Sequence, residues 1–173
     1  MSEPQIPEVE QLYDQFQQLS ATLRQGGTIG QLLNVTPDEC EALYAHGHSL
    51  YQQGLYSDAF KVFSRLVMIN HMDDRYVMAL AGAAQQLGRY EDALQHYATV
   101  TVMRLNDPAP VFHSAECLLA MSRLADAIDS LELVLEFDPD PDTKNDYIRR
   151  ARTLLPILRQ RAGQTQAGPE SSH

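Results

Sequence analysis

The phrase Gln53-Gly54-Leu55-Tyr56-Ser57-Asp58-Ala59 returns as Leu87-Gly88-Arg89-Tyr90-Glu91-Asp92-Ala93, with 34 residues from Gly54 to Gly88 and 34 from Ala59 to Ala93. A further 34 residues leads from Ala93 to Ala127, inside Leu124-Ala125-Asp126-Ala127. A fixed period of this length implies stacked copies of one supersecondary unit, none of which buries its apolar face alone. Setting repeat position 1 at Cys40, Asp74 and Pro108 brings the remaining positions into line. Position 8 holds Gly47, Ala81 and Ala115, and position 20 holds Ala59, Ala93 and Ala127, so two helices can approach closely at small residues. Position 24 (Phe63, Tyr97, Leu131) and position 27 (Leu66, Val100, Val134) supply the large side chains behind them. Position 32 fits least well, with His71, Leu105 and Pro139, of which only the proline is expected.

Thirty-four residues is the tetratricopeptide period. The predicted fold is therefore all-α: a tetratricopeptide-repeat solenoid of three helix-turn-helix repeats with flanking N- and C-terminal helices. Thr36-Pro37-Asp38-Glu39 reads as a capping box with proline in the first turn. Gly54 and Gly88 suit the residue that ends a first helix, and Asp107-Pro108 offers a cap for repeat three. Asp138-Pro139-Asp140-Pro141 blocks continuation after the last repeat. Val9, Leu12, Tyr13, Phe16, Leu19 and Leu23 mark an N-terminal helix that stops at Gly26-Gly27, and Thr28 to Leu33 reads as one short turn. Tyr147, Ile148, Ala151, Leu154, Leu155 and Leu158 mark a terminal helix, expected to be kinked or cut near Pro156. The expected division is 1–35 for the N-terminal helix and glycine-rich connection, 36–141 for the repeats, 142–163 for a capping helix and 164–173 for a disordered tail.

At 173 residues, 44% apolar and 21% charged, the chain is long enough for one self-sufficient core. Its net charge of -10 argues against nucleic-acid binding, which needs a basic footprint. Six of its 13 basic residues (Lys144, Arg149, Arg150, Arg152, Arg159 and Arg161) lie in one late stretch with Asp146 as the only acid, so that stretch is +5 and the rest -15. This is either a docking patch for an acidic partner or membrane surface, or a solvated helix face. Two cysteines, Cys40 and Cys117, without CxxC or metal-ligand spacing, are typical of a reducing compartment. The start lacks the basic and apolar regions of a secretory signal, and no apolar run reaches the ~18–20 residues of a membrane span. The expected location is cytoplasmic, without membrane insertion.

By resemblance to the repeat family, positions 2, 5, 9, 12 and 13 of each first helix face a concave groove. These are Glu41, Tyr44, His48, Tyr51 and Gln52, then Arg75, Met78, Gly82, Gln85 and Gln86, then Ala109, Phe112, Glu116, Leu119 and Ala120. Tyr44, Tyr51, Met78, Phe112 and Leu119 are large and fall outside the packing positions, which suits an apolar peptide. The competing reading is an N-terminal helix folded back into the groove. A clamp for a terminal carboxylate is not expected, because Tyr44, Met78 and Phe112 occupy position 5 and Arg75 is the lone cation. His113, Glu116 and Cys117 lie close in sequence, but His113 and Cys117 lean toward packed surfaces, so a structural role is expected rather than a reactive thiol. His46 and His48 point to different faces, and Asp73-Asp74 reads as a helix cap. Neither catalysis nor a metal or other cofactor is expected.

Gly26-Gly27-Thr28-Ile29, Leu43-Tyr44, Tyr51-Gln52-x-Gly54-x-Tyr56-x-Asp58-Ala59, Lys61-Val62-Phe63 and Phe112-His113-Ser114-Ala115-Glu116-Cys117-Leu118-Leu119 occur in this order. Together they resemble the class II chaperones of bacterial type III secretion, over roughly residues 20–135. The resemblance implies a cytosolic chaperone without ATPase activity for two hydrophobic translocators. It also implies a Pro-x-Leu-x-x-Pro client segment in the groove, and weak homodimers. Tyr44, Tyr51 and Tyr56 match the family's groove aromatics, whereas His48 stands where relatives often hold an aromatic. The peptide-binding set implied is Tyr44, His48, Tyr51, Tyr56, Met78, Gln85, Phe112, Glu116 and Leu119. The alternative is a general repeat scaffold joining soluble proteins.

Overall fold

The structure, a computed structural model, describes residues 6–166, and every regular element among them is helical. In chain order these are α1 (Ile6–Arg24), α2 (Ile29–Leu32), α3 (Pro37–Gln52), α4 (Tyr56–Ile69), α5 (Asp74–Gln86), α6 (Tyr90–Met103), α7 (Ala109–Ala120), α8 (Leu124–Glu136) and α9 (Asp146–Gln166). Two compact units divide within α5: residues 1–76 and 77–173.

In the first unit, α1 ends at Arg24 and Gly26 turns the chain at φ +78°. The side chains of Val9 and Leu12 lie outside the described residues. Thr28 and Gln31 cap α2 reciprocally, at 3.0 and 3.4 Å. A Cβ on Gly30 would meet Ile69 Cγ2 at 2.7 Å, so the α2 backbone rests directly on the end of α4. The predicted box at α3 is present: Thr36 N–H donates to Glu39 Oε2 at 2.8 Å, and Glu39 N–H donates to Thr36 Oγ1 at 3.2 Å. The Thr36 backbone N–H and hydroxyl both donate to the Glu39 carboxylate and hold it below its ordinary range. Gly47 lets α3 and α4 meet, because a Cβ there would lie 2.5 Å from the Phe63 ring. Ala59, Phe63 and Leu66 are sealed from solvent behind it.

In the second unit the same positions are closed: Ala81, Ala93, Tyr97, Val100, Ala115, Ala127, Leu131 and Val134 are all buried. Asp107 Oδ1 accepts from the Ala109 N–H at 2.9 Å, so the expected cap works, although the helix is counted from Ala109. After the last repeat, Asn145 Oδ1 accepts from the Tyr147 N–H at 3.0 Å and starts α9. Of the two outcomes expected at Pro156, a kink or a cut, the cut is excluded, since α9 runs through the proline. Ile148, Ala151, Leu155 and Leu158 anchor it on both sides of the proline in one core with Phe112, Leu131 and Val134. The proline removes one backbone bond, and the packed apolar stripe outweighs that loss. α9 extends to Gln166, past residue 163 where the capping helix was expected to end. Residues 167–173 lie outside the described residues.

Candidate peptide-binding face

On α3 of the first unit, Tyr44, His48 and Tyr51 follow helical spacing, and Tyr44 and Tyr51 are two turns apart. The Tyr44 ring meets His48 edge-on at 4.5 Å, Tyr76 at 5.3 Å and Phe63 at 6.1 Å. The Arg75 guanidinium covers Tyr44 at 5.3 Å and Tyr76 at 5.5 Å, within cation–π range. It donates at the same time to Glu41 at 2.6 Å and Asp73 at 2.7 Å, so its charge is answered locally. Burial, reinforced by the charge of Asp73, pushes the Tyr76 hydroxyl up to about 12. One turn beyond His48, Tyr51 meets Tyr56 of α4 edge-on at 5.2 Å. Tyr44, His48, Tyr51 and Tyr56 are all half-buried, so part of each ring stays accessible while the rest is packed. Rings fixed this way offer apolar area at little entropic cost on binding.

The second unit is polar where the first is aromatic. Tyr97 Oη donates to Gln85 Oε1 at 2.6 Å, and Gln85 Nε2 donates to Glu116 Oε2 at 3.2 Å. The same carboxylate lies 2.8 Å from His113 Nδ1, and its other oxygen accepts from Arg150 of α9 at 3.0 Å. Burial pushes the Glu116 carboxyl up, but the hydrogen bonds from His113 and Gln85 and the charges of His113 and Arg150 outweigh it and hold the group below its ordinary range. His113 is stacked on Tyr97 at 5.5 Å and edge-on to Tyr147 at 5.4 Å. Cys117 is sealed, and desolvation raises its thiol to about 11, which makes it inert rather than nucleophilic.

Phe112 does not belong to the accessible face. It is fully buried, with the Arg150 guanidinium 4.5 Å above its ring and Tyr147 at 5.6 Å. α9 closes over α7 at this point and covers the ring. Ala109 is buried too, whereas Met78, Gln85, Glu116 and Leu119 remain half-buried, Leu119 against the α7–α9 core. The sequence reading missed Tyr76 and Phe63 as the packed side of the first aromatic group. It also missed Arg150, although a signal was present: Arg150 follows Glu116 by 34 residues, as Arg75 follows Glu41. Among the described residues, no helix is long and apolar enough to cross a membrane.

Comparison with known proteins agrees with this architecture. The family described as "Tetratricopeptide repeat" matches residues 78–142, and that described as "Anaphase-promoting complex, cyclosome, subunit 3" matches residues 28–100. The low calcium response locus protein H of Yersinia pestis is 33% identical over 141 residues, covering 82% of this chain and 84% of its own. PcrH, solved with the chaperone binding region of PopD, is 35% identical with a TM-score of 0.68, over 74% of this chain and 96% of its own. The Yersinia enterocolitica chaperone SycD, solved with a peptide of the translocator YopD, is 32% identical with a TM-score of 0.68, over 74% of this chain and 98% of its own. PcrH has also been solved with the chaperone binding region of PopB, and SycD as an alternative dimer. With its repeats in register and this identity to the Yersinia pestis protein over most of both chains, the chain belongs to the class II, tetratricopeptide-repeat translocator chaperones of type III secretion.

Proposed function

We propose that this chaperone works in the bacterial cytosol by binding alone, holding an extended apolar segment of its two translocators so that they stay soluble and competent for export. The observation that carries this reading is the aromatic face of the first unit. Tyr44, His48, Tyr51 and Tyr56 remain half-open while the packing positions Gly47, Ala59, Phe63 and Leu66 are closed. A surface of that kind suits a proline- and leucine-bearing segment, which presents apolar side chains from an already extended backbone. The complexes of PcrH with PopD and PopB segments and of SycD with a YopD peptide support it. Met78, Gln85, Glu116 and Leu119 of the second unit contribute further contacts, and Phe112 contributes none directly. Translocators later enter a membrane, so their apolar spans would aggregate or insert early if left uncovered. Co-expression tests the reading. A translocator with long apolar spans should move from the pellet to a soluble complex when this chain is present. Capture of soluble partners only, with the translocator left in the pellet, would instead mark a general scaffold.

A further inference from the structure

The helix α9 carries Arg149, Arg150, Arg152, Arg159 and Arg161 with Asp146 as its own acid, in a chain of net charge -10, and Arg159 is paired with Glu132 of α8 at 2.6 Å. It also keeps the repeat register. Glu116 and Arg150, 34 residues apart, are bonded at 3.0 Å, as Glu41 and Arg75, also 34 apart, are bonded at 2.6 Å. By that register α9 stands as the first helix of a fourth repeat. Asp146, Arg150, Thr153 and Leu154 then fall at positions 5, 9, 12 and 13, the positions that read peptides in the repeat family. Those four, with Tyr147 and Arg149, line a depression of about 650 Å³. A helix that served only as a cap would need its apolar stripe buried and its outer face merely polar. Here that face lines a hollow that carries Arg149 and Arg150 against Asp146.

We infer that this hollow on α9 is a second peptide site, which takes an acidic segment with an apolar side chain among its Asp and Glu residues. Arg150 is aimed in advance: Glu116 holds one side of its guanidinium and the Phe112 ring, 4.5 Å away, holds its flat face. A guanidinium fixed in this way loses little freedom when its remaining N–H groups meet a carboxylate. Arg149 is paired with Asp146 at 3.0 Å, but their side chains are 63% and 81% exposed. A pair so exposed is weak, and an incoming carboxylate competes with it on even terms. Arg152 donates to the Pro141 and Asp140 carbonyls, and its charge acts on the Asp138 carboxylate, so it stands beside the site rather than in it. Leu154, half-buried, and Tyr147 supply the apolar floor. The acidic remainder of the chain repels such a ligand everywhere else and so steers it to α9.

The test is calorimetric titration of the full chain with an end-blocked Glu-Asp-Leu-Glu-Asp peptide at low and high salt. Binding should weaken as salt rises. Arg149→Glu should weaken it by about fivefold or more, while Arg149→Lys should keep it within about twofold and Tyr51→Ala should leave it unchanged. Melting curves of each variant establish that the chain remains folded. Absence of binding to the wild-type chain, or equal affinity for the wild-type and Arg149→Glu chains, would overturn the assignment. Binding to phosphatidylserine vesicles without binding to the peptide would overturn it too, in favour of a membrane-surface patch.

Discussion

Glu116 accepts from three partners on three different helices: Gln85, His113 and Arg150. Its carboxyl titrates below the ordinary 4.5, so its stabilising contribution is fully present above that value and is lost as pH falls through the lowered one. Glu116→Gln should therefore lower stability near neutral pH by about 1–2 kcal/mol, as loss of charge-assisted bonds does. The gap to the parent chain should narrow as pH falls below 4.5, where the unfolded chain takes up its proton first. Melting curves across that range check it, and a gap that stayed constant with pH would detach Glu116 from the network. How far single residues could be read from sequence depended on what covers them. Tyr44 and Tyr51 were legible because one helix and one spacing place both. Phe112 was not, because its burial is decided by Tyr147 and Arg150 of a later helix. The pattern at position 5 carries no record of that helix.

The turn inside each repeat shows what an element demands of one residue. Gly54 and Gly88 take φ +76° and +72°, and the third repeat places Ser122 there at φ +61°. Glycine adopts this left-handed region freely, whereas a Cβ meets the backbone. Ser122→Gly should raise stability by about 0.5–1 kcal/mol, and Gly54→Ala, with open space around it, should lower it by a similar amount through backbone strain alone. Thermal melts of the two variants should move in opposite directions; a destabilised Ser122→Gly chain would refute the argument. Caps and turns were readable because they depend on neighbours within four residues, as at Thr36 and Glu39. Which of a kink or a cut Pro156 would bring was not, since the continuity of α9 depends on core contacts made with α7 and α8.

For the whole molecule, the period gave the architecture because small residues recur where helices must touch. Ala93→Leu should cost about 1–3 kcal/mol by overpacking, and the melting temperature reports it. On α1, Tyr13, Phe16 and Leu23 stay 62%, 65% and 42% exposed, an apolar stripe that a second copy can cover. A weak homodimer is the expected outcome, and sedimentation at high micromolar concentration should show it for the parent chain but not for Phe16→Glu. The central claim, that the aromatic face of the first unit grips translocators, is tested most directly by calorimetric titration of a Pro-x-Leu-x-x-Pro peptide into the parent and Tyr51→Ala chains. Tyr51 packs on Tyr56 at the edge of the face, so its removal leaves the Tyr44 group intact. Anchors of this kind cost more than about 1 kcal/mol when truncated, so binding should weaken about fivefold or more while the chain stays folded. A folded Tyr51→Ala chain that bound the peptide as tightly as the parent would contradict the account and move the client to another surface.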